Sequence, residues 1–78
     1  MELKKAFGEV LQDLRKKADL SQEALAFECQ LDRTYISMLE RGLRQPSLKT
    51  IFEIAAALEI QPETIVKKVR VKSHRNYE

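Results

Sequence analysis

One cysteine, one histidine, two glycines, two prolines and no tryptophan leave this 78-residue chain few devices for holding a small fold together. Cys29 alone makes no internal disulfide, and with His74 as its only companion it makes no zinc site. A domain of this size buries only about 60% of the surface its unfolded chain exposes, so its stability must come from helix packing, a partner subunit, or both. The lone cysteine suits a reducing compartment. No run of about 18 apolar residues is present to span a membrane. The opening MELKKAFGEV lacks the apolar stretch of a signal peptide, so a soluble, cytoplasmic protein is expected. Paired-carboxylate motifs, glycine-rich phosphate loops and Cys–His or Ser–His arrangements are missing too. An enzyme is therefore the weakest class, and no cofactor, metal or small-molecule ligand is expected.

What charge there is, is unevenly placed. The net charge is only +2, but residues 1–66 hold nine Lys/Arg against eleven Asp/Glu. Residues 67–78 hold Lys67, Lys68, Arg70, Lys72 and Arg75 against Glu78 alone. Within the acidic part, residues 33–49 carry Arg33, Arg41, Arg44 and Lys49 against Glu40. A basic segment between acidic flanks is the layout of a local phosphate-facing surface.

Helix formers dominate, and the apolar spacing predicts five helices. The first spans about residues 3–18, with Leu3, Phe7, Val10, Leu11 and Leu14 on one stripe. The second follows Ser21 as N-cap and turns Leu25, Ala26 and Cys29 inward; the third follows Asp32 as N-cap, turns Ile36 and Leu39 inward, and ends at Gly42. The fourth follows Ser47, with Leu48, Ile51, Ala55 and Leu58 as its core stripe, widened by Phe52 and Ile54. The fifth is short, with Pro62 at its first position and Thr64, Ile65, Val66 and Val69 along it. Residues 1–69 are thus read as one helical domain. Residues 70–78 are read as a basic tail, frayed or disordered, although KKVRVK alternates enough to permit a short strand.

The informative stretch is LSQEALAFECQLDRTYISMLERG, residues 20–42. Two short helices joined by two or three residues cannot lie antiparallel and must cross steeply. The small Ala26 permits their close approach. The second of the pair turns Arg33, Thr34, Tyr35, Ser37, Met38 and Arg41 outward, and a helix held so can enter a major groove.

With SQEALA, LDRTYISMLERG and PSLKTIFEIAAAL, the sequence resembles the phage-repressor and Cro-like helix-turn-helix family, also called the xenobiotic-response-element family, over residues 7–66. The resemblance implies an all-α, compact five-helix lambda-repressor-like domain. It implies a transcriptional regulator that binds double-stranded DNA as a homodimer on a pseudo-palindromic operator. LDRTYIS with ERGLRQPSLKT looks most like the controller proteins of restriction–modification systems. The alternative is a protein-interaction module, such as an antitoxin-like partner, but the polar outward face of the third helix argues for DNA.

Carried over residue by residue, the resemblance implies base contacts from Arg33, Thr34, Ser37 and Met38. Arg33 would pair with guanine, Thr34 would touch a thymine methyl or a phosphate, and Met38 is equally suited to filling a gap. Phosphate contacts are implied for Gln22, Tyr35, Arg44, Gln45, Ser47, Lys49 and Thr50. Arg15 and Glu40 match the family's partly buried ion pair. Two positions depart from the family's habit: Gln30 and Asp19 stand where glycine is frequent. If Gln30 is left-handed, it costs on the order of 1 kcal/mol. Apolar positions surplus to the core, Ile54, Leu58, Ile60, Ile65, Val66 and Val69, are expected to form the dimer interface.

Overall fold

Five helices account for residues 1–73, the part of the chain that a computed structural model describes, and no strand occurs among these residues. They are α1 (Leu3–Lys17), α2 (Gln22–Cys29), α3 (Arg33–Glu40), α4 (Leu48–Leu58) and α5 (Pro62–Ser73). Two starts are fixed by serine caps. Ser21 Oγ accepts the Ala24 N–H at 3.0 Å, and Ser47 Oγ accepts the Thr50 N–H at 3.1 Å. Asp32 has the extended backbone of an N-cap, but its side chain makes no cap bond.

The helix ends share one device. Asp19, Gln30, Gly42 and Glu59 are all left-handed, with φ of 61°, 56°, 74° and 59°. Each lets the next residue, Leu20, Leu31, Leu43 or Ile60, donate its N–H back to a carbonyl in the last helical turn at 2.9–3.1 Å. Three of these four positions therefore hold a residue with a Cβ where glycine would be unstrained.

The core joins Phe7, Val10 and Leu11 of α1 to Leu25, Ile36, Leu39, Ile54, Ile65 and Val69, all nearly or wholly buried. α1 runs through the middle, packed on α3 along one side and α5 along the other; α2 is held between α3 and α4. Gly8 sets the α1–α3 approach, because a Cβ there would lie 2.5 Å from the Glu40 carbonyl oxygen and 2.6 Å from that of Leu39. Cys29 is buried among these helices with its thiol 3.8 Å from the Glu53 carbonyl. Burial, with Glu53 and Glu28 nearby, pushes its pKa up to about 11.

Two expectations are corrected. The buried stripe of α4 is Thr50, Ile54 and Ala55, with Ile51 and Leu58 at its margins; Leu48 and Phe52 face solvent, 69% and 54% exposed. α5 is also not short. It continues four residues past Val69 because Ser73 packs inward one turn after Val69, and its last two residues are tied to α1 and to the residue that opens the chain. The Met1 ammonium donates to the Ser73 carbonyl at 3.2 Å, and Lys72 reaches Glu9 and Asp13 at 3.5 and 3.7 Å. Residues 70–73 thus belong to the folded body; His74, Arg75, Glu78 and the rest of the expected tail lie outside the described residues.

Candidate nucleic-acid interface

A three-residue link, residues 30–32, sets α3 across the end of α2. Ile36 and Leu39 are fully buried and anchor α3 to the body. The opposite face carries Arg33 and Thr34, both exposed at its first turn, with Ser37 and Met38 half-buried further along. The four residues expected to read bases therefore share one polar surface.

Behind that surface runs a chain of charged and polar contacts. Arg15 donates from Nε to Glu40 Oε2 at 2.6 Å, from Nη2 to Glu40 Oε1 at 3.1 Å and from Nη1 to the Leu20 carbonyl at 2.9 Å. This fork-to-fork pair is nearly enclosed, its side chains 10% and 2% exposed. Glu40 Oε1 also accepts from Gln22 Nε2 at 2.9 Å, and Gln22 Oε1 accepts from Arg33 Nη1 at 3.0 Å. One continuous path thus leads from α1 through the end of α3 and the start of α2 to the first side chain of α3. Gln22 was expected on a phosphate. In the free chain both ends of its amide are engaged, and it orients Arg33.

The second basic group lies where α3 leads into α4. Arg44, Gln45, Ser47 and Lys49 are exposed; Arg44 sits over the Tyr35 ring at 5.4 Å, which brackets the half-buried tyrosine. Lys49 pairs with Glu53 at 2.6 Å on an open surface, a weak and easily exchanged contact. Thr50 does not fit its expected phosphate role. It is 6% exposed, its hydroxyl lies 3.0 Å from Ser47 Oγ, and its backbone is capped by the same serine.

The expected dimer interface also changes. Ile54, Ile65 and Val69 are 0%, 2% and 7% exposed within the single chain, so they offer a partner little surface, although Ile65 and Val69 line the depression beside Val66. Leu58 and Ile60 are half-buried, and Val66 is 52% exposed. Sequence reasoning counted Leu48 and Phe52 as core. Their i, i+4 spacing, about half a turn out of phase with Ile54, was the available signal that they form a separate exposed stripe. Val66 edges a depression of about 200 Å³ floored by Leu3, Phe7 and Ile51 between α1, α4 and α5.

No group of three His, Cys, Asp or Glu suited to a metal occurs among the described residues, and no helix there is long and apolar enough to cross a membrane.

Residues 11–65 match a helix-turn-helix family. The chain is 49% identical over 61 residues to the control protein C.BamHI of Bacillus amyloliquefaciens, covering 77% of this chain and 75% of that one. Its structure is similar to that of the restriction–modification controller C.AhdI from Aeromonas hydrophila, with a TM-score of 0.78 and 45% identity over 80% of this chain and 94% of the other. It is also similar, with a TM-score of 0.84 and 28% identity over 96% and 99% of the chains, to the controller C.Esp1396I, which was crystallised as a tetramer with its natural 35-base-pair operator.

Proposed function

The chain belongs to the helix-turn-helix family, and on that premise we propose that it is a sequence-specific transcriptional regulator of duplex DNA, a homodimer and the controller of a restriction–modification system. The observation that carries this reading is the path from Arg15 through Glu40 and Gln22 to Arg33. It holds the first turn of a polar, protruding helix in one orientation, as base readout requires. In the bound state Arg33 donates both guanidinium arms to a guanine edge, with Gln22 behind it and free to turn one amide hydrogen towards a phosphate. Thr34, Ser37 and Met38 line the same groove. Tyr35, Arg44, Gln45, Ser47 and Lys49 contact the flanking backbone and set register. The protein acts in the cytoplasm, on DNA, without catalysis of its own.

The dimer forms through the outer side of α4 and α5, where Leu48, Phe52 and Val66 are exposed and Leu58 and Ile60 lie half-covered. Two recognition helices related by a twofold axis then address half-sites about 34 Å apart.

Selection of bound sequences from a random duplex pool tests the reading. A two-fold-related consensus is expected for the wild type. Arg33→Ala should lose about 1–3 kcal/mol and relax one position in each half-site. Equal affinity for selected and unselected DNA, unchanged by Arg33→Ala, would turn the assignment towards a protein-binding module.

A further inference from the structure

A groove of about 710 Å³ runs between α1 and α5 and has no part in the proposed DNA and dimer faces. Its lining residues on α1 are Val10, Asp13, Leu14 and Lys17. At 3.6 residues per turn they lie roughly opposite Gly8 and Arg15, which face α3. On α5, Thr64, Lys67, Lys68 and Val71 lie roughly opposite Val66, on the proposed dimer face. The sequence carries no motif for this groove, because α1 and α5 meet only in the folded chain.

Inside the groove, apolar surface and charge are separated. Val10, Leu14 and Val71 supply an apolar floor, and Val71 is left 58% exposed. Four lysines line the groove against one aspartate, an excess of three positive charges. At one end the charge is cancelled, since Lys72 reaches Glu9 and Asp13 at 3.5 and 3.7 Å. Lys17 lies one turn beyond Asp13 on α1, and Lys67 and Lys68 lie about one turn before Lys72 on α5. Among the described residues these three lysines have no ion-pair partner. Thr64, one turn before Lys68, adds a hydroxyl to the lining. The groove thus has an apolar floor, a neutral end and a cationic end.

We propose that this groove binds a medium-chain fatty acid. The carboxylate sits between Lys17, Lys67 and Lys68, and the chain lies along Val10, Leu14 and Val71. Charge-assisted hydrogen bonds from the ammonium groups hold the head, and withdrawal of the chain and of Val71 from water supplies the rest. The α1 lining spans two turns, about 10 Å, which suits an extended chain of that size. A uniformly acidic peptide fits less well, because it would bring negative charge against Asp13. A DNA backbone would use the lysines but not the floor, and would have to reach a side of the molecule turned away from α3. The site does not depend on the DNA-binding reading, and its ligand leaves α3 and Val66 uncovered.

Titration of the isotope-labelled full chain with octanoate, followed by amide chemical shifts, tests this without DNA. Acetate supplies the head without the chain, and octanol the chain without the head. Octanoate should saturate, with shifts centred on Leu14, Thr64, Lys68 and Val71, and should bind at least about tenfold more tightly than either control. Lys67→Glu combined with Lys68→Glu, both at exposed positions, should weaken octanoate at least about tenfold and leave octanol unchanged. A damaged fold would not give that split. Val71→Asp should weaken both ligands. Acetate or octanol binding as tightly as octanoate would overturn the proposal, and so would octanoate affinity that the paired glutamates leave intact. Shifts centred on α3 or on the depression beside Val66 would overturn it as well. Displacement of octanoate by a short non-operator duplex would assign the three lysines to phosphates instead.

Discussion

Among the described residues, Glu40 is the side chain that joins three helices by hydrogen bonds. It accepts from Arg15 of α1 and Gln22 of α2 while closing α3, and 2% of it is exposed. Removing it leaves a guanidinium enclosed with only the Leu20 carbonyl as partner, a penalty of about 3–5 kcal/mol. Glu40→Ala should lower the denaturation midpoint by that amount in urea titrations. Gln22→Ala keeps the ion pair, so it should change stability little while weakening specific DNA binding, because Arg33 loses its brace. Equal destabilisation by both variants would mean that Gln22 is only structural. Cys29 gives a residue-scale prediction of another kind. With its pKa raised from 9.0 to about 11, the thiol stays protonated throughout the physiological range. Its labelling by a thiol reagent at pH 8 should be slow and should follow unfolding. The sign for stability follows: the folded state holds this proton more tightly than the unfolded one, so the contribution is intact below pH 9 and is lost as pH rises towards 11.

At the scale of elements, the helices were legible because their starts and inner faces obey local rules. Ser21 and Ser47 cap as serines do, and Leu3, Phe7, Val10, Leu11 and Leu14 follow the helical period. The ends were harder to read. Glu59 closes α4 in the same left-handed conformation as Gly42 closes α3, but a glutamate carries no local signal for that geometry. Only the return of the following apolar residue to the core imposes it. The phase of α4 was misread for a related reason: eight of its eleven residues are apolar, so periodicity alone could not separate the Ile54 face from the Leu48–Phe52 face. The last turn of α5 was missed because its anchors, the Met1 ammonium and the Glu9 and Asp13 carboxylates, come from the far end of the chain. Of the site, the polar face of α3 was legible, and the Arg15–Glu40 pair came through resemblance. The link from Gln22 to Arg33 depends on tertiary placement. The turn itself is testable: Gln30→Gly relieves a left-handed residue of about 1 kcal/mol of strain, less the extra entropy of an unfolded glycine. Thermal unfolding should shift upward or stay level. A clear loss would mean that the Gln30 side chain makes a contact of its own.

For the whole molecule, the proposed recognition and dimer faces are separate, so each can be disabled alone. Ile65→Asp is unsuitable for splitting a dimer, since Ile65 is 2% exposed and a buried carboxylate there should unfold the subunit. Val66→Asp, at a position 52% exposed, places the charge on the proposed dimer face and leaves the core intact. The variant should sediment as a monomer with unchanged helical content. Its affinity for the selected operator should fall steeply, because one α3 and one set of Arg44, Gln45, Ser47 and Lys49 contacts would remain where the dimer has two. The salt dependence should report the same halving. Log affinity falls with log salt in proportion to the phosphates neutralised, so the monomer's slope should be about half the dimer's. Arg75, the single Lys or Arg beyond Ser73, can be examined on the same scale by truncation after Ser73, which spares the turn that Met1 and Lys72 hold. If Arg75 contributes, truncation lowers the dimer's slope by about twice what it takes from the monomer's. An unchanged slope would remove Arg75 from the phosphate contacts. A Val66→Asp variant that remains dimeric would move the interface elsewhere.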